Sequence, residues 1–230
     1  MTEPSLLMMS SMATRALLTE LVAAFSRDTG HPVRLESAGG VDVARRVQDG
    51  EGVDVVVLAA SAIDQLVGGG SLLARSRVDV VRSGMGIAVQ TGRPRPDIGS
   101  EAAVRQAVQG AGSIGYSTGP SGKYLVSLFE RWGIAQQIAQ RSVQAPPGVP
   151  VAALVARGEV ELGFQQLSEM LGAPGIDVLG PLPPEIQHIT VFSAAVSVLC
   201  TRPDLARALV GFLGGPGTAA VKRRHGMEPA

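Results

Sequence analysis

The sequence predicts an α/β fold of two Rossmann-like lobes joined by a two-segment hinge, and two observations support it. Short apolar runs alternate with segments of helical period along most of the chain, as βαβ units of a parallel sheet require. The alternation is interrupted at residues 78–90, where two apolar runs meet, and a β-rich segment at residues 189–196 crosses back. We therefore predict lobe one at residues 1–82 and 190–230 and lobe two at residues 83–189.

In lobe one, each predicted strand is a short run of apolar residues, which is typical of strands buried on both faces. These runs are residues 6–9, 33–35 and 53–59. Apolar side chains at helical spacing, among them Leu17, Leu21 and Phe25, predict the helices between them. The helices are expected at residues 12–25, 41–47, 204–212 and 217–224. Within residues 78–90, Gly84 and Gly86 predict a bend.

Lobe two is predicted to begin after a turn rich in glycine and proline at residues 91–96. Its helices are expected at residues 101–109, 121–132 and 151–157. Its strands are expected at residues 113–116, 142–145 and 162–165. A proline-rich run at residues 180–184 precedes the segment that returns to lobe one.

Composition excludes several classes of function. The 20 basic and 20 acidic residues cancel, so no excess of positive charge favours nucleic acid or an anionic membrane. The eight scattered aromatic residues are too few for a platform on which bases or sugars stack. No uncharged apolar run approaches the roughly 20 residues of a membrane span.

The cysteine and the N-terminal sequence bear on the compartment. Cys200 is the sole cysteine, so no internal disulfide forms and the thiol is interpreted as a small buried apolar group. The first residues show neither a basic segment nor a long apolar one. We expect the chain as it stands to be cytoplasmic, and periplasmic if a signal peptide has been removed.

Three turns that lead from a predicted strand into a predicted helix carry hydroxyl groups. Such a turn offers free backbone N–H groups at the positive end of the helix dipole, which together bind an anion without a cation. The alternative is that these serines only cap the helices, and the two roles are compatible. The predicted ligand-binding residues are Ser10, Ser11, Ser37, Ser117, Ser121 and Gly122.

Candidates for catalysis are few. The three histidines lack ligand spacing, and neither a nucleophile elbow nor a phosphate-binding loop or dinucleotide fingerprint occurs, so we predict no metal and no cofactor. Gln165 and Gln166 end a strand and point to opposite faces, so one of them is expected at the ligand. Ser168 and Glu169 are interpreted as the N-cap and the first turn of a short helix, with a catalytic role for Glu169 as the alternative.

The order and spacing of several motifs resemble the molybdate-binding proteins of ABC importers, a class-II periplasmic binding protein family. The resemblance covers nearly the whole chain. Its motifs are the Ser10-Ser11 turn, the helix ending at residues 25–30, the glycine-rich turn after Ser37, residues 44–50, Val53-Asp54-Val55, Gly122-Lys123-Tyr124 and residues 153–159. It implies two α/β lobes that close on a ligand, with an ABC permease as partner.

The resemblance also implies how the ligand is held. Uncharged hydroxyls and main-chain N–H groups bind an oxyanion in that family, and the matching positions here are Ser11, Ser37 and the turn around Ser121. Gln166 stands where the family has a tyrosine, and a glutamine amide also donates to an oxyanion. The turn that follows Ser37 is longer than usual.

A second branch of the family includes aconitate isomerase, which acts on a tricarboxylate. For that branch Arg45 and Arg82 are predicted ligand-binding residues and Arg46 is a further candidate nearby, since arginine binds carboxylates in a bidentate manner. The first hypothesis is thus a binding protein for a small oxyanion or organic carboxylate, linked to ABC-type transport. The second is an isomerase of an unsaturated polycarboxylate, and the third is an intracellular ligand sensor.

Overall fold

The computed structural model describes residues 5–146 and 148–230. The strands are β1 (Leu6–Ser11), β2 (Val33–Ala38), β3 (Val55–Ala59), β4 (Val78–Gln90), β5 (Ile114–Tyr116), β6 (Ser142–Gln144), β7 (Leu162–Gln166), β8 (Ile176–Pro181), β9 (Ile189–Val196) and β10 (Glu228–Pro229). The α-helices are α1 (Arg15–Thr29), α2 (Gly40–Gln48), α3 (Ala60–Gly68), α4 (Glu101–Gly110), α5 (Pro120–Arg131), α6 (Ala135–Ile138), α7 (Val151–Ala156), α8 (Leu167–Met170), α9 (Pro203–Gly214) and α10 (Ala219–Arg224).

The chain divides into two compact units. The first unit comprises the residues up to Ser83 together with Val191–Ala230, and the second comprises Gly84–Thr190. Strands β4 and β9 carry the chain from one unit to the other. The predicted α/β class, with two lobes linked by two chain segments, is confirmed. No helix among the described residues is long and apolar enough to cross a membrane.

In the first unit, β1 pairs in parallel with both β2 and β3, and β9 runs antiparallel to β3. Successive side chains of a strand point to opposite faces, so each face of this sheet has its own apolar layer. Met8 packs with side chains of α1 and α9, whereas Met9 packs with α2 and α3. The parallel order places the carboxyl ends of β1 and β2 side by side, where the serine-bearing turns begin.

In the second unit, β5 lies in parallel between β6 and β7, and β4 pairs antiparallel with β7 and β8. One face of this sheet packs on α4 and α5 through residues such as Val104 and Leu125, and the other packs on α7 through Leu154 and Val155. Helix α5 follows β5 directly, so the turn between them lies at the carboxyl end of a parallel strand.

The prediction of a bend at Gly84 and Gly86 is wrong, because Val78–Gln90 is one continuous strand. The glycines make room for neighbours instead. A Cβ atom on Gly86 would lie 2.9 Å from Cδ1 of Leu167, and one on Gly84 would lie 3.1 Å from the amide nitrogen of Gln187. Close packing, rather than a change of direction, explains these two glycines.

Smaller differences concern the ends of elements. A single 3-10 turn, Met12–Thr14, precedes α1, so that helix begins at Arg15. Helix α8 begins at Leu167 with Gln166 as its N-cap, so Ser168 lies inside the helix and does not cap it as predicted. Glu169 does lie in the first turn, as predicted.

Candidate functional site

The carboxyl ends of β1 and β2 bring two of the predicted serines into contact. Because the parallel register pairs Ser10 with Ser37, both side chains point to the same face of the sheet. Their hydroxyl oxygens lie 2.8 Å apart and share a hydrogen bond. The Ser10 hydroxyl also donates to the backbone carbonyl of Ser11, at 3.2 Å. Ser10 is fully buried and Ser37 is half-buried, so this pair is accessible from the Ser37 side.

Ser11 differs from its neighbour because its hydroxyl has nothing to bond to. The residue is 7% exposed, and among the described residues its Oγ is the one buried side-chain oxygen or nitrogen without a hydrogen-bond partner. Gly40 lies beside it: a Cβ atom on Gly40 would be 3.6 Å from the Cβ of Ser11. The unpaired hydroxyl therefore lies next to the first residue of α2.

The N-terminus of α2 supplies further donors. Its N-cap is Gly39, which has no side chain to accept a hydrogen bond, so the amide N–H groups of the first turn have no partner within the helix. The one carboxylate in that turn, Asp42, accepts a hydrogen bond from Arg45 at 2.7 Å. We refer to Ser10, Ser11, Ser37 and the first turn of α2 as the serine turn.

A second group of hydroxyls precedes α5 in the second unit. Ser117 and Ser121, which we call the hydroxyl pair, lie 3.0 Å apart and bond to each other. Pro120 occupies the first turn of the helix, a position that suits its fixed φ angle. A Cβ atom on Gly122 would lie 1.7 Å from the carbonyl oxygen of Ser117. Only glycine therefore allows the helix to approach the turn this closely.

Both predicted glutamines are buried and bonded within the second unit. The Gln165 amide nitrogen donates to Oε1 of Glu169 at 2.7 Å, and its oxygen accepts from the backbone N–H of Ala152 at 3.3 Å. The Gln166 amide nitrogen donates to the hydroxyl of Thr190 at 2.7 Å. The opposite directions predicted for the two side chains thus lead each to a different partner.

Glu169 is a titratable group with an unusual environment. The residue is half-buried, and removal of its carboxyl from water raises the pKa of Glu169 to about 7, although the hydrogen bond from Gln165 acts in the opposite direction. A carboxyl with a pKa near neutrality exchanges protons readily at physiological pH, which is what a general base or acid requires.

The predicted arginines are engaged elsewhere. Arg45 is exposed and paired with Asp42, and Arg46 pairs with Glu36 at 3.2 Å and with Glu51. Arg82 is exposed on β4, opposite Glu228 of β10 in the register of the two strands. Arg45 thus contacts the first turn of α2 only through Asp42, and among the described residues no hydrogen bond or ion pair joins these three arginines to Ser10, Ser11 or Ser37.

Sequence reasoning missed two polar residues that organise the second unit. Thr190 is the partner of Gln166, and Gln187 accepts from the backbone N–H of Met85 at 2.8 Å while donating to its carbonyl at 3.1 Å. Thr190 was detectable in the sequence, because it is a polar residue within the mostly apolar run of residues 189–196. Gln187 follows a proline-rich run, and no periodicity marks it.

His188 stacks on Tyr124, with ring centroids 4.6 Å apart, and burial lowers the pKa of the imidazole. Tyr124 in turn donates to the carbonyl of Ile186 at 2.9 Å. Within residues 5–146 and 148–230, no three His, Cys, Asp or Glu side chains converge as metal ligands would.

Known proteins resemble this chain over nearly its full length. A family model described as bacterial extracellular solute-binding protein matches residues 6–228. An aconitate isomerase from Pseudomonas sp. is 35% identical over 231 residues, which cover 98% of this chain and 88% of that protein.

Solved structures share the fold. The periplasmic molybdate-binding protein of Azotobacter vinelandii aligns with a TM-score of 0.81 at 20% identity, covering 97% of this chain and 98% of the other. The tungstate ABC transporter protein of Geobacter sulfurreducens aligns with a TM-score of 0.75 at 16% identity, covering 96% of this chain and 98% of the other. At these identities the likeness establishes the architecture.

Proposed function

Because the chain belongs to the family of bacterial extracellular solute-binding proteins, we propose that it binds a small anion and that the serine turn of the first unit supplies donors to it. The anion is an oxyanion or an organic carboxylate. An ABC importer permease as its partner is part of this proposal and rests on the family.

The observation that carries the proposal is the unpaired hydroxyl of Ser11. A buried polar group without a hydrogen-bond partner lowers the stability of the folded chain by about 1–3 kcal/mol. A bound molecule that accepts a hydrogen bond from the Ser11 hydroxyl removes this penalty. The neighbouring N–H groups of α2 are donors as well, and the positive end of the helix dipole favours negative charge there. Every one of these groups suits an acceptor-rich, negatively charged ligand.

The hydroxyl pair of the second unit is proposed as a further set of donors. Ser117 and Ser121 lie at the N-terminus of a helix of 12 residues whose N-cap, Gly119, has no side chain. Gln166 is proposed to act on the ligand through its position at the end of β7, with Thr190 fixing the orientation of its amide.

The proposal is tested by calorimetric titration of the purified chain with molybdate, tungstate, sulfate, phosphate and a series of di- and tricarboxylates including aconitate. Ser11→Ala is expected to weaken binding of the preferred anion about 10- to 100-fold, because a hydrogen bond to a charged group contributes about 1.5–3 kcal/mol. Ser127→Ala is the matched control, since that exposed hydroxyl only donates to the carbonyl of Tyr124. Equal affinities of the two variants would contradict the proposed site.

A second function, isomerisation of an unsaturated polycarboxylate, is favoured by Glu169 and by the 35% identity to an aconitate isomerase. Such a reaction moves a proton from one carbon to another and shifts the double bond between them, with no change in oxidation state. We propose that the Glu169 carboxylate removes the proton and returns it, and that Gln165 holds the carboxylate in place.

Proton NMR of the chain incubated with cis-aconitate tests this second function. Formation of the trans isomer by the wild type, lost in Glu169→Gln and retained in Glu159→Gln, would support it. Glu159 is an appropriate control because it is exposed and paired with Arg157. Binding of cis-aconitate without any turnover would contradict the isomerase function and support the binding function.

A further inference from the structure

The first unit contains a groove that the predicted site does not include. It lies between α1 and the edge strand β2 and has a volume of about 460 Å³, within the roughly 300–1,000 Å³ of small-molecule sites. Its helical side is a single stripe of α1, and its strand side consists of alternate residues of β2. The lining residues are Arg15, Thr19, Val22, Ala23, Ser26, Val33, Leu35 and Ser37.

Ser37 joins the groove to the serine turn. Its side chain lines the groove, and its hydroxyl oxygen lies 2.8 Å from that of Ser10. Since α1 runs antiparallel to β2 in this βαβ unit, Arg15 and Ser37 lie at the same end of the groove. At the other end, the hydroxyl of Ser26 is occupied, because it accepts from the backbone N–H of Val33 at 3.2 Å.

Arg15 is placed where a cation is not favoured by the fold. It is the first residue of α1, and the positive end of a helix dipole repels a positive charge. The first turn of α1 contains no acidic residue, and the groove lining contains no carboxylate. Among the described residues, no side chain forms an ion pair or hydrogen bond with the Arg15 guanidinium. Arg15 is exposed, so water solvates its guanidinium in the ligand-free chain, and a bound anion would take the place of that water.

The floor of the groove distinguishes between kinds of anion. Val22, Ala23, Val33 and Leu35 form the apolar part of the groove lining. A tetrahedral oxyanion has only oxygen at its surface and gains nothing from an apolar wall. An organic carboxylate presents a hydrocarbon skeleton to such a lining and a planar group that matches the guanidinium in a bidentate manner.

We propose that Arg15 and the adjacent groove form a carboxylate subsite, so that the ligand is an organic polycarboxylate with one carboxylate at Arg15 and another at the serine turn. The inference rests on the proposed function, because it assumes that the serine turn binds an anion. It names the substrate class and a specificity-determining residue.

The test compares Arg15→Gln with Arg34→Gln in titrations with a tricarboxylate, cis-aconitate or tricarballylate, and with molybdate. Arg34 is a matched control, because it is exposed on β2 and its replacement by glutamine removes the same charge. Unlike that of Arg15, its guanidinium is already paired, with Glu36 at 3.2 Å. Arg15→Gln is expected to weaken tricarboxylate binding by about 10-fold or more and to leave any molybdate binding unchanged. Arg15→Lys keeps the charge but not the planar guanidinium, so its affinity for the tricarboxylate is expected to lie between those of the wild type and Arg15→Gln.

The outcomes separate the inference from the function on which it rests. If the wild type binds the tricarboxylate and both arginine variants bind equally well, the subsite is wrong and the proposed function stands. If Arg15→Gln weakens molybdate and tricarboxylate alike, Arg15 acts as a general charge and the subsite is also wrong. If the wild type binds no anion of either class, the proposed function itself fails. Thermal unfolding of each variant identifies any loss that comes from misfolding.

Discussion

The serine turn of the first unit and the hydroxyl pair of the second unit use the same residue type in different states of hydrogen bonding. Ser11 is buried with its hydroxyl unpaired, whereas Ser117 and Ser121 bond to each other at 3.0 Å. An unpaired buried hydroxyl lowers the stability of the folded chain, and a paired one raises it. The comparison teaches that the serine turn has a hydrogen bond left to form, as the proposed anion site requires, while the hydroxyl pair is already satisfied within the fold.

The largest expected effect concerns the glycines beside the two hydroxyl sets. Gly122→Ala would place a Cβ atom 1.7 Å from the carbonyl oxygen of Ser117, so the turn or the helix must move. We expect a loss of about 2–3 kcal/mol in the free energy of unfolding, since overpacking of this kind typically costs 1–3 kcal/mol. The better helix propensity of alanine offsets less than half of that loss. Urea denaturation measures the effect.

Gly40→Ala is the control on the side of the serine turn. There the new Cβ atom would meet Ser11 and Leu58 at 3.6 and 3.8 Å, which is ordinary van der Waals contact. Stability close to that of the wild type is expected. If the two alanine variants were equally stable, the rigid hydroxyl pair of the second unit would not be held by close packing, and the comparison would lose its basis.

The next effect is a difference of sign between two serine variants. Ser11→Ala removes an unpaired buried hydroxyl, so the free energy of unfolding of the ligand-free chain is expected to stay constant or to rise by up to about 1 kcal/mol. Ser121→Ala removes a buried hydroxyl that is hydrogen-bonded to the half-buried Ser117, and it is expected to lower the free energy of unfolding by about 0.5–1.5 kcal/mol. Denaturant unfolding without added anions measures both. A stability loss in Ser11→Ala as large as that in Ser121→Ala would show that the Ser11 hydroxyl has a partner within the fold.

The sequence predicted the parallel strands well because strands buried on both faces are runs of apolar residues. It gave no strand at Ile176–Pro181, where Asp177 and Gly180 interrupt the apolar pattern, and no helix at Ala60–Gly68. The bend assigned to Gly84 was wrong because glycine also serves close packing. The periodicity of apolar residues reports which face of an element is exposed to water. It does not report how closely segments that are remote in the sequence pack against each other.

The same limit applies to the candidate site. Ser10 and Ser37 were predicted in turns that follow strands of one parallel sheet, and the register of β1 with β2 brings them into contact. That Ser11 lacks a partner, that Gln166 meets Thr190 and that Arg15 faces a groove depend on side-chain positions set by segments far away in the sequence. Residue types therefore predicted the hydroxyl turns, and the structure alone distinguishes the paired hydroxyls from the unpaired one.

The last expected effect tests whether protons affect only one of the two regions. Burial raises the pKa of Glu169 in the second unit from 4.5 to about 7, so the folded state holds this proton more tightly than the unfolded state does. The free energy of unfolding should therefore be highest below about pH 4.5, fall as the pH rises to about 7, and level off above it. Glu169→Gln removes this dependence, so the wild type should lose stability relative to the variant between pH 5 and pH 8.

The groups of the serine turn that lie next to Ser11 are hydroxyls and amides, which do not titrate in this range. The stability difference between Ser11→Ala and the wild type should consequently be the same at pH 5 and pH 8. A pH-dependent difference for Ser11→Ala would mean that the two regions are linked through a shared proton, and the contrast between a ligand-completed turn and a self-sufficient one would have to be abandoned.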